Sequence, residues 1–345
     1  MDNALKEHVD ALHRKALTVD AHFDLTYDVA SHRDRGHRKV IETDYLEGFR
    51  TGGFDLIVSS LFINDSFLPE MGLRKALDQI SYLFQEMDES PGTLRLCKTV
   101  HDIAAAREAG QIGILLSFEG ADPLVNDINL LRVFHELGVR GVGLVWSRRN
   151  YVADGCAFDT VRAGRKGGLT AFGVAVVEQA EKLGMFIDVS HLNDEGFYDV
   201  MEITRKPVIA SHSNCRALTE TMRNLTDEQI RTLARRGGVV GVSAISRFAG
   251  DTSDGQRVTV ENMLDHVDHI AEIAGVEHVG LGFDFCDSFR NFLTLESPLE
   301  TYDVIGGHRE LAVVTAGLIR RGYSDSDIGL ILGGNFMRVY AATIG

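Results

Sequence analysis

The residues of this chain that could do chemistry each close a short apolar run. His22 and Asp24 end the segment TVDAHFDL, and a spacing of two puts both side chains on one face of a strand. Imidazole nitrogen and carboxylate oxygen together suit zinc. A hydrogen-bonded His–Asp pair would leave the same trace. Glu119 ends ILLSFE, where a carboxylate is expected to be solvated or ligating because burying it unpaired is costly. Its two oxygens could bridge two ions. His191 ends MFIDVSH and His212 ends PVIASH, so each brings a nitrogen donor to the mouth of a separate strand.

Together these five residues predict a binuclear centre. One ion takes His22, Asp24 and one Glu119 oxygen; the other takes the second Glu119 oxygen, His191 and His212. Three protein ligands leave each ion open to water, and a hydroxide shared between the ions is the expected nucleophile. Asp284, in HVGLGFDF, is placed to accept a proton and return it; the alternatives are a further ligand or an acid that orients one. Arg223, in CRALTETMRNLTD, could grip a substrate carboxylate with its planar fork. Arg216 is a second candidate, closer to His212, and a surface or helix-capping arginine is the plain reading of either.

Something must hold these residues on one rim. Short apolar runs at Leu17–Leu25, Phe54–Phe62, Ile112–Phe118, Gly141–Trp146, Met185–Ser190, Val208–Ser211, Gly238–Ala244 and His278–Phe285 predict eight strands. Between them, amphipathic segments predict helices over Gly72–Met87, Asp127–Glu136, Thr170–Lys182, Asp194–Thr204, Asp227–Arg236 and Val260–Ala274. Strand and helix alternating along a whole chain argue for a parallel sheet with helices outside. Eight strands argue for closure into a (β/α)8 TIM-like barrel, possibly distorted, whose active site is built at the C-terminal strand ends. A doubly wound open sheet is the alternative. Leu183-Gly184 and Gly237-Gly238 read as helix ends, and Thr226 before Asp227-Glu228 reads as a helix start. No linker or internal repeat divides the chain. The expectation is one hydrolase domain over 1–345, with an N-terminal helix and a C-terminal helical extension.

Composition narrows the function classes. The chain has 345 residues, 44% hydrophobic and 25% charged, with a formal charge of −15. That excludes disorder and gives no basic surface for nucleic acid or an anionic membrane. Four scattered cysteines without a CxxC pair predict reduced thiols. The N-terminal residues lack the pattern of a signal peptide, and no apolar stretch reaches the length of a membrane span. A cytoplasmic location is the expectation, and a homodimer is compatible with it.

The motifs HFD, FEG, DVSH, ASHSNCRAL, GFDF and the tail GGNFMRVY, in that order, resemble the membrane (renal) dipeptidase family of amidohydrolase-like metal barrels. The resemblance covers roughly Thr18 to Tyr340. It implies a dipeptidase with two zinc ions on His22, Asp24, Glu119, His191 and His212, with Glu119 bridging. It implies Asp284 as the proton carrier and Arg223, rather than Arg216, as the grip on the substrate's C-terminal carboxylate. The implied substrate is a dipeptide or a similar small amide, including dipeptides with a C-terminal D-residue. The sequence departs from the family where GVRGVGLVWSRRNYVADG carries Trp146 in place of a substrate-contacting histidine. Tryptophan can stack or donate one N–H but cannot coordinate, so Trp146 is expected to shape the pocket, with Arg148, Arg149 or Asn150 compensating as substrate contacts. A related amidohydrolase acting on another amide, lactam or ester is the alternative enzyme. A metal-containing small-molecule binding protein is the alternative without turnover.

Overall fold

Each apolar run becomes a short strand: β1 (Val19–Phe23), β2 (Leu56–Phe62), β3 (Leu94–Leu96), β4 (Ile112–Glu119), β5 (Val139–Gly143), β6 (Phe186–Asp188), β7 (Ile209–Ala210), β8 (Val239–Val242) and β9 (Val279–Leu281). The computed structural model describes residues 1–157, 164–251, 256–287 and 301–345. Its strands pair in the order β1-β2-β4-β5-β6-β7-β8-β9. Every pairing is parallel. The path curls into a nearly closed eight-stranded barrel, and at its seam the Asp284 N–H donates to the His22 carbonyl at 3.2 Å. The ninth strand, β3, was not foreseen: it pairs with β4 outside this path.

All eight barrel strands are buried along their length, as expected when helices cover a parallel sheet. Except for β4, which extends one residue to Glu119, the strands are shorter than the apolar runs. The run at Val208–Ser211, for example, contributes a two-residue strand, because the Ser211 N–H and Oγ–H both donate to the Asp188 carboxylate instead of to a strand. The helical expectations are met at their ends. Thr226 and Gln229 form a capping box at Asp227–Arg235, and Gly184 ends Ala171–Leu183 at φ 77°, a left-handed position that suits glycine. The N-terminal helix spans Asn3–Lys15. Among the described residues no helix is long and apolar enough to cross a membrane. All four cysteines are free.

The two ends of the barrel differ in composition. At the floor, Val19, Leu56, Val58, Leu115, Phe186, Ile209 and Val239 form one cluster with Phe336, Val339 and Tyr340 of the C-terminal helix Asn335–Thr343. The GGN of the tail explains how the helix seats itself. A Cβ on Gly333 would meet the Leu17 carbonyl oxygen at 2.2 Å, so only glycine permits that approach. Asn335 Nδ2 donates to the carbonyls of Val276 and Val279, both at 2.8 Å. At the other end, the strands run out into polar residues.

Candidate metal centre

Alternation along a strand sets the direction of each polar side chain. Leu115, Ser117 and Glu119 share the inward face of β4, so Glu119 stands above the apolar floor at the mouth. Phe186 and Asp188 do the same on β6. On β1 the register against β2 shifts between Asp20 and Phe23, where the Asp20 carboxylate accepts the His22 N–H at 3.2 Å. Asp24 then occupies the N-cap position of the helix Leu25–Arg33 without capping it. Its carboxylate therefore stays available at the positive end of the helix, where it accepts a hydrogen bond from Ser60 Oγ.

Glu119 Oε1 is the meeting point of the cluster. It lies 3.0 Å from His191 Nε2, 3.5 Å from His212 Nε2 and 3.5 Å from His22 Nε2. His22 Nε2 is 4.0 Å from Asp24 Oδ1 and 3.9 Å from Asp284 Oδ1, and its ring stacks on that of His212 with centroids 3.6 Å apart. Ligand atoms of His22, Asp24 and Glu119 lie within 4.8 Å of one another, as do those of Glu119, His191 and His212. These are the two triads that the sequence singles out, and the fold brings them together around one carboxylate. His22, Asp188 and His212 form a third such group, and a fourth, Cys286, Asp287 and Asp303, lies outside the cluster. In the fourth, Asp303 is already engaged by the N–H groups of Cys286 and Asp287.

Hydrogen bonds assign the histidine protons. Ser211 Oγ gives its one proton to Asp188 Oδ2. It must therefore accept from His212 Nδ1, 2.6 Å away. His191 Nε2 accepts from Arg223 at 3.3 Å, which puts its proton on Nδ1, 2.7 Å from Ser147 Oγ. The Nε2 lone pairs of His191 and His212 thus converge at 2.9 Å. Nearby, His22 Nε2 and Glu119 Oε2 are buried without a hydrogen-bond partner among the described residues.

The electrostatics agree. Burial, and then the Asp284 charge, push the Glu119 carboxyl up from its ordinary range. Burial and the Glu119 charge do the same to Asp24. Asp284 is raised by burial, and His22 pulls against that shift. Burial holds His191 and His212 well below the usual imidazole value, with Arg223 and His22 adding to it. Converging lone pairs, orphaned acceptors and crowded carboxylates all call for a cation, and neutral imidazole is the form that ligates. The residues fit a divalent metal.

Two chemistry-bearing residues sit in left-handed backbone, His191 at φ 71° and Asp284 at φ 58°. Such positions cost a non-glycine residue on the order of 1–3 kcal/mol and persist when the surroundings over-determine them.

Around the cluster, Arg223 is buried, donating to the His212 carbonyl and to Ser213 Oγ at 2.5 and 3.0 Å. Its Nε–H has no partner among the described residues. Arg216 is instead paired with Asp194 through both terminal nitrogens. Trp146 packs between Phe62, at 4.8 Å between centroids, and His191, at 6.0 Å. Asn150 spends its amide on its own loop and on Asp122. Its oxygen accepts from the N–H groups of Val152 and Ala153, and its nitrogen donates to the Leu144 carbonyl and Asp122. Arg149 is committed to Asp154. Arg148 joins Asp65 to Asp122 and donates to the Trp146 carbonyl. Sequence reasoning passes over Asp20, Ser147, Asp188 and Ser211. The last two carry a signal in hindsight, since each directly precedes or nearly precedes a candidate ligand in DVSH and SHS.

Comparison with known proteins bears on the same centre. The family model of membrane dipeptidase, peptidase family M19, matches residues 6–344. A Klebsiella pneumoniae protein described as uncharacterized, from the pqqA 5' region, is 34% identical over 265 residues, 76% of this chain and 93% of that protein. The dipeptidase tcpJ of Claviceps purpurea is 30% identical over 267 residues, 77% of this chain and 59% of that longer protein. A Rhodobacter sphaeroides metallopeptidase, solved with a phosphinate mimic of the dipeptide L-Ala-D-Ala, superposes with a TM-score of 0.83 at 25% identity. The match covers 95% of this chain and 99% of that one.

Proposed function

This chain belongs to the membrane dipeptidase family, peptidase family M19, and is a metal-dependent dipeptidase; on that premise we propose which of its residues do the work and on which dipeptides. His22, Asp24 and Glu119 would hold one zinc ion, and Glu119, His191 and His212 would hold the other. The single observation that carries this is Glu119 at the junction of two donor triads, one of its oxygens buried without a donor among the described residues. Two bound zinc ions supply Lewis acidity toward the scissile carbonyl and an acidified water as nucleophile.

The chain's own groups do the rest. Arg223 binds the free carboxylate of the dipeptide; its buried Nε–H, without a partner among the described residues, and its place beside His191 support that role. Asp284 takes a proton from the nucleophile and returns it to the departing amine; a carboxyl whose pKa is raised by burial is suited to hold that proton. Trp146 and Phe62 wall the cluster on the His191 side and exclude water there without carrying charge. Substrates are small dipeptides, including those with a D-residue at the C-terminal position, as the ligand of the Rhodobacter sphaeroides relative suggests.

The test is a panel of L-L and L-D dipeptides and their C-terminal amides, with zinc present and its stoichiometry measured. Free dipeptides should be cleaved, their amides far more slowly, and Arg223→Ala should erase that preference. Equal efficiency on acid and amide would remove the role of Arg223. One metal per fully loaded chain would remove the bridge. Turnover of other amides or esters with no dipeptide cleaved would favour the alternative hydrolase.

A further inference from the structure

We infer that Asp20 and Asp188 are positioning residues for the metal centre, each a carboxylate clasp that ties two adjacent strand ends together directly before the residues that do the chemistry. The inference rests on the reading above for which residues need positioning.

The two clasps have the same construction. Asp188 Oδ1 accepts the N–H of Ser190, two residues on, at 3.0 Å, and the N–H of Ser211 on the neighbouring strand end at 2.9 Å. The next residue along each strand end is His191 and His212, respectively. Asp20 Oδ1 accepts the N–H of His22, again two residues on, at 3.2 Å, and that of Phe283 beyond β9 at 3.0 Å. The residue after Phe283 is Asp284. One oxygen per clasp therefore replaces ladder bonds where the strands stop pairing. The residues held just beyond include both left-handed ones, His191 and Asp284.

The second oxygen of each clasp is also engaged. Asp188 Oδ2 accepts from Ser211 Oγ, which in turn accepts a hydrogen bond from His212 Nδ1–H. Asp20 Oδ2 pairs with His308 Nε2 at 2.7 Å. His308 is boxed edge-on by Phe23, Phe49, Phe54 and Phe285, with centroids 4.8–5.0 Å away. Both aspartates are buried, at 0% and 4% exposure, so neither carboxylate can be traded for water. This also distinguishes clasp from ligand at Asp188. It lies close enough to His22 and His212 to be read as a third metal triad, but the Ser190 and Ser211 N–H groups fill its Oδ1 and Ser211 Oγ occupies its Oδ2. Among the described residues Asp24, by contrast, accepts from Ser60 alone.

Asparagine and alanine separate the two roles. An asparagine oxygen still accepts both N–H groups, whereas alanine accepts neither and a ligand role requires the charge. The experiment compares Asp20→Asn, Asp20→Ala, Asp188→Asn and Asp188→Ala in the full chain. It reads zinc affinity by competition with a chromophoric chelator, kcat and KM on the best dipeptide, and thermal melting. The alanine variants should lose about 10- to 100-fold in zinc affinity and a similar factor in kcat. KM should stay within about threefold, since Arg223 is untouched. The asparagine variants should stay within about fivefold of wild type in zinc affinity, as groups that keep the acceptor.

Should alanine prevent folding, the leucine variants, which keep the branched skeleton without its acceptors, take its place; failure of both to fold, with asparagine folded, would overturn the proposal in favour of a purely structural role. Alanine variants with wild-type zinc affinity and kcat would overturn the proposal. Asparagine variants as damaged as alanine would also overturn it, because charge rather than geometry would then be what matters. Zinc affinity is read independently of turnover, so a wild type that binds zinc but cleaves no dipeptide would sink the dipeptide reading and leave the clasps to be judged on metal alone.

Discussion

The floor and the mouth of this barrel are built from the same strands and obey opposite rules. At the floor, side chains from successive strands meet Phe336, Val339 and Tyr340 in an apolar plug. At the mouth, the residues two or four positions further along are Glu119, Asp188 and Ser211, crowded among three histidines with acceptors left unmatched. The floor thus carries stability through burial, and the mouth uses part of that stability to hold strained and repelling groups in place. Damage at the two ends should therefore look different.

The largest difference concerns turnover. Asp284→Asn should lower kcat by about 10²- to 10⁴-fold, the usual worth of a proton-transfer group, while zinc content and melting temperature stay near wild type. Wild-type turnover by this variant would move proton transfer to another group. At the floor, Phe336→Ala should do the reverse. Deleting a fully buried aromatic side chain costs about 3–5 kcal/mol of folding stability, measured by urea unfolding, whereas kcat per folded molecule should be unchanged. If kcat fell in step with stability, the separation of floor from mouth would fail.

The smallest effect sharpens the boundary between them. Tyr340 is fully buried, and its hydroxyl has no hydrogen-bond partner among the described residues. Tyr340→Phe should be neutral or stabilising by up to about 1 kcal/mol, because it removes an unsatisfied polar group at constant shape. A clear loss would mean that the hydroxyl serves the polar layer above it.

The same division explains what could be read from the sequence. The five ligand candidates are legible because a histidine or acid that ends an apolar strand stands out against its neighbours. The strands are legible because both faces are buried and the runs are nearly continuous. The clasps are not, because Asp20 and Asp188 sit inside those runs and look like polar interruptions. The partners of Asp20, Phe283 and His308, are far away in sequence, and only the barrel seam brings them close; Asp188 meets Ser211 only because β6 and β7 lie side by side. Asn150 shows the converse. A polar residue in a loop beside the pocket reads as a substrate contact, yet its four hydrogen-bonding positions are filled by its own turn and by Asp122. Trp146 is legible as a departure from the family, but its packing against Phe62 depends on which loops face each other.

Arg148 ties those loops. It reaches Asp65 in the loop after β2 and Asp122 in the loop after β4 from its own place in the loop after β5. Loops at this end of a barrel are ordinarily interchangeable parts, which is how one scaffold comes to serve many chemistries. Here one guanidinium makes three of them a single heritable unit. Grafting any one loop from a relative would strand the partners of the other two. A lineage that re-shapes the wall around Trp146 would therefore be expected to exchange the three loops together or to lose Arg148 first.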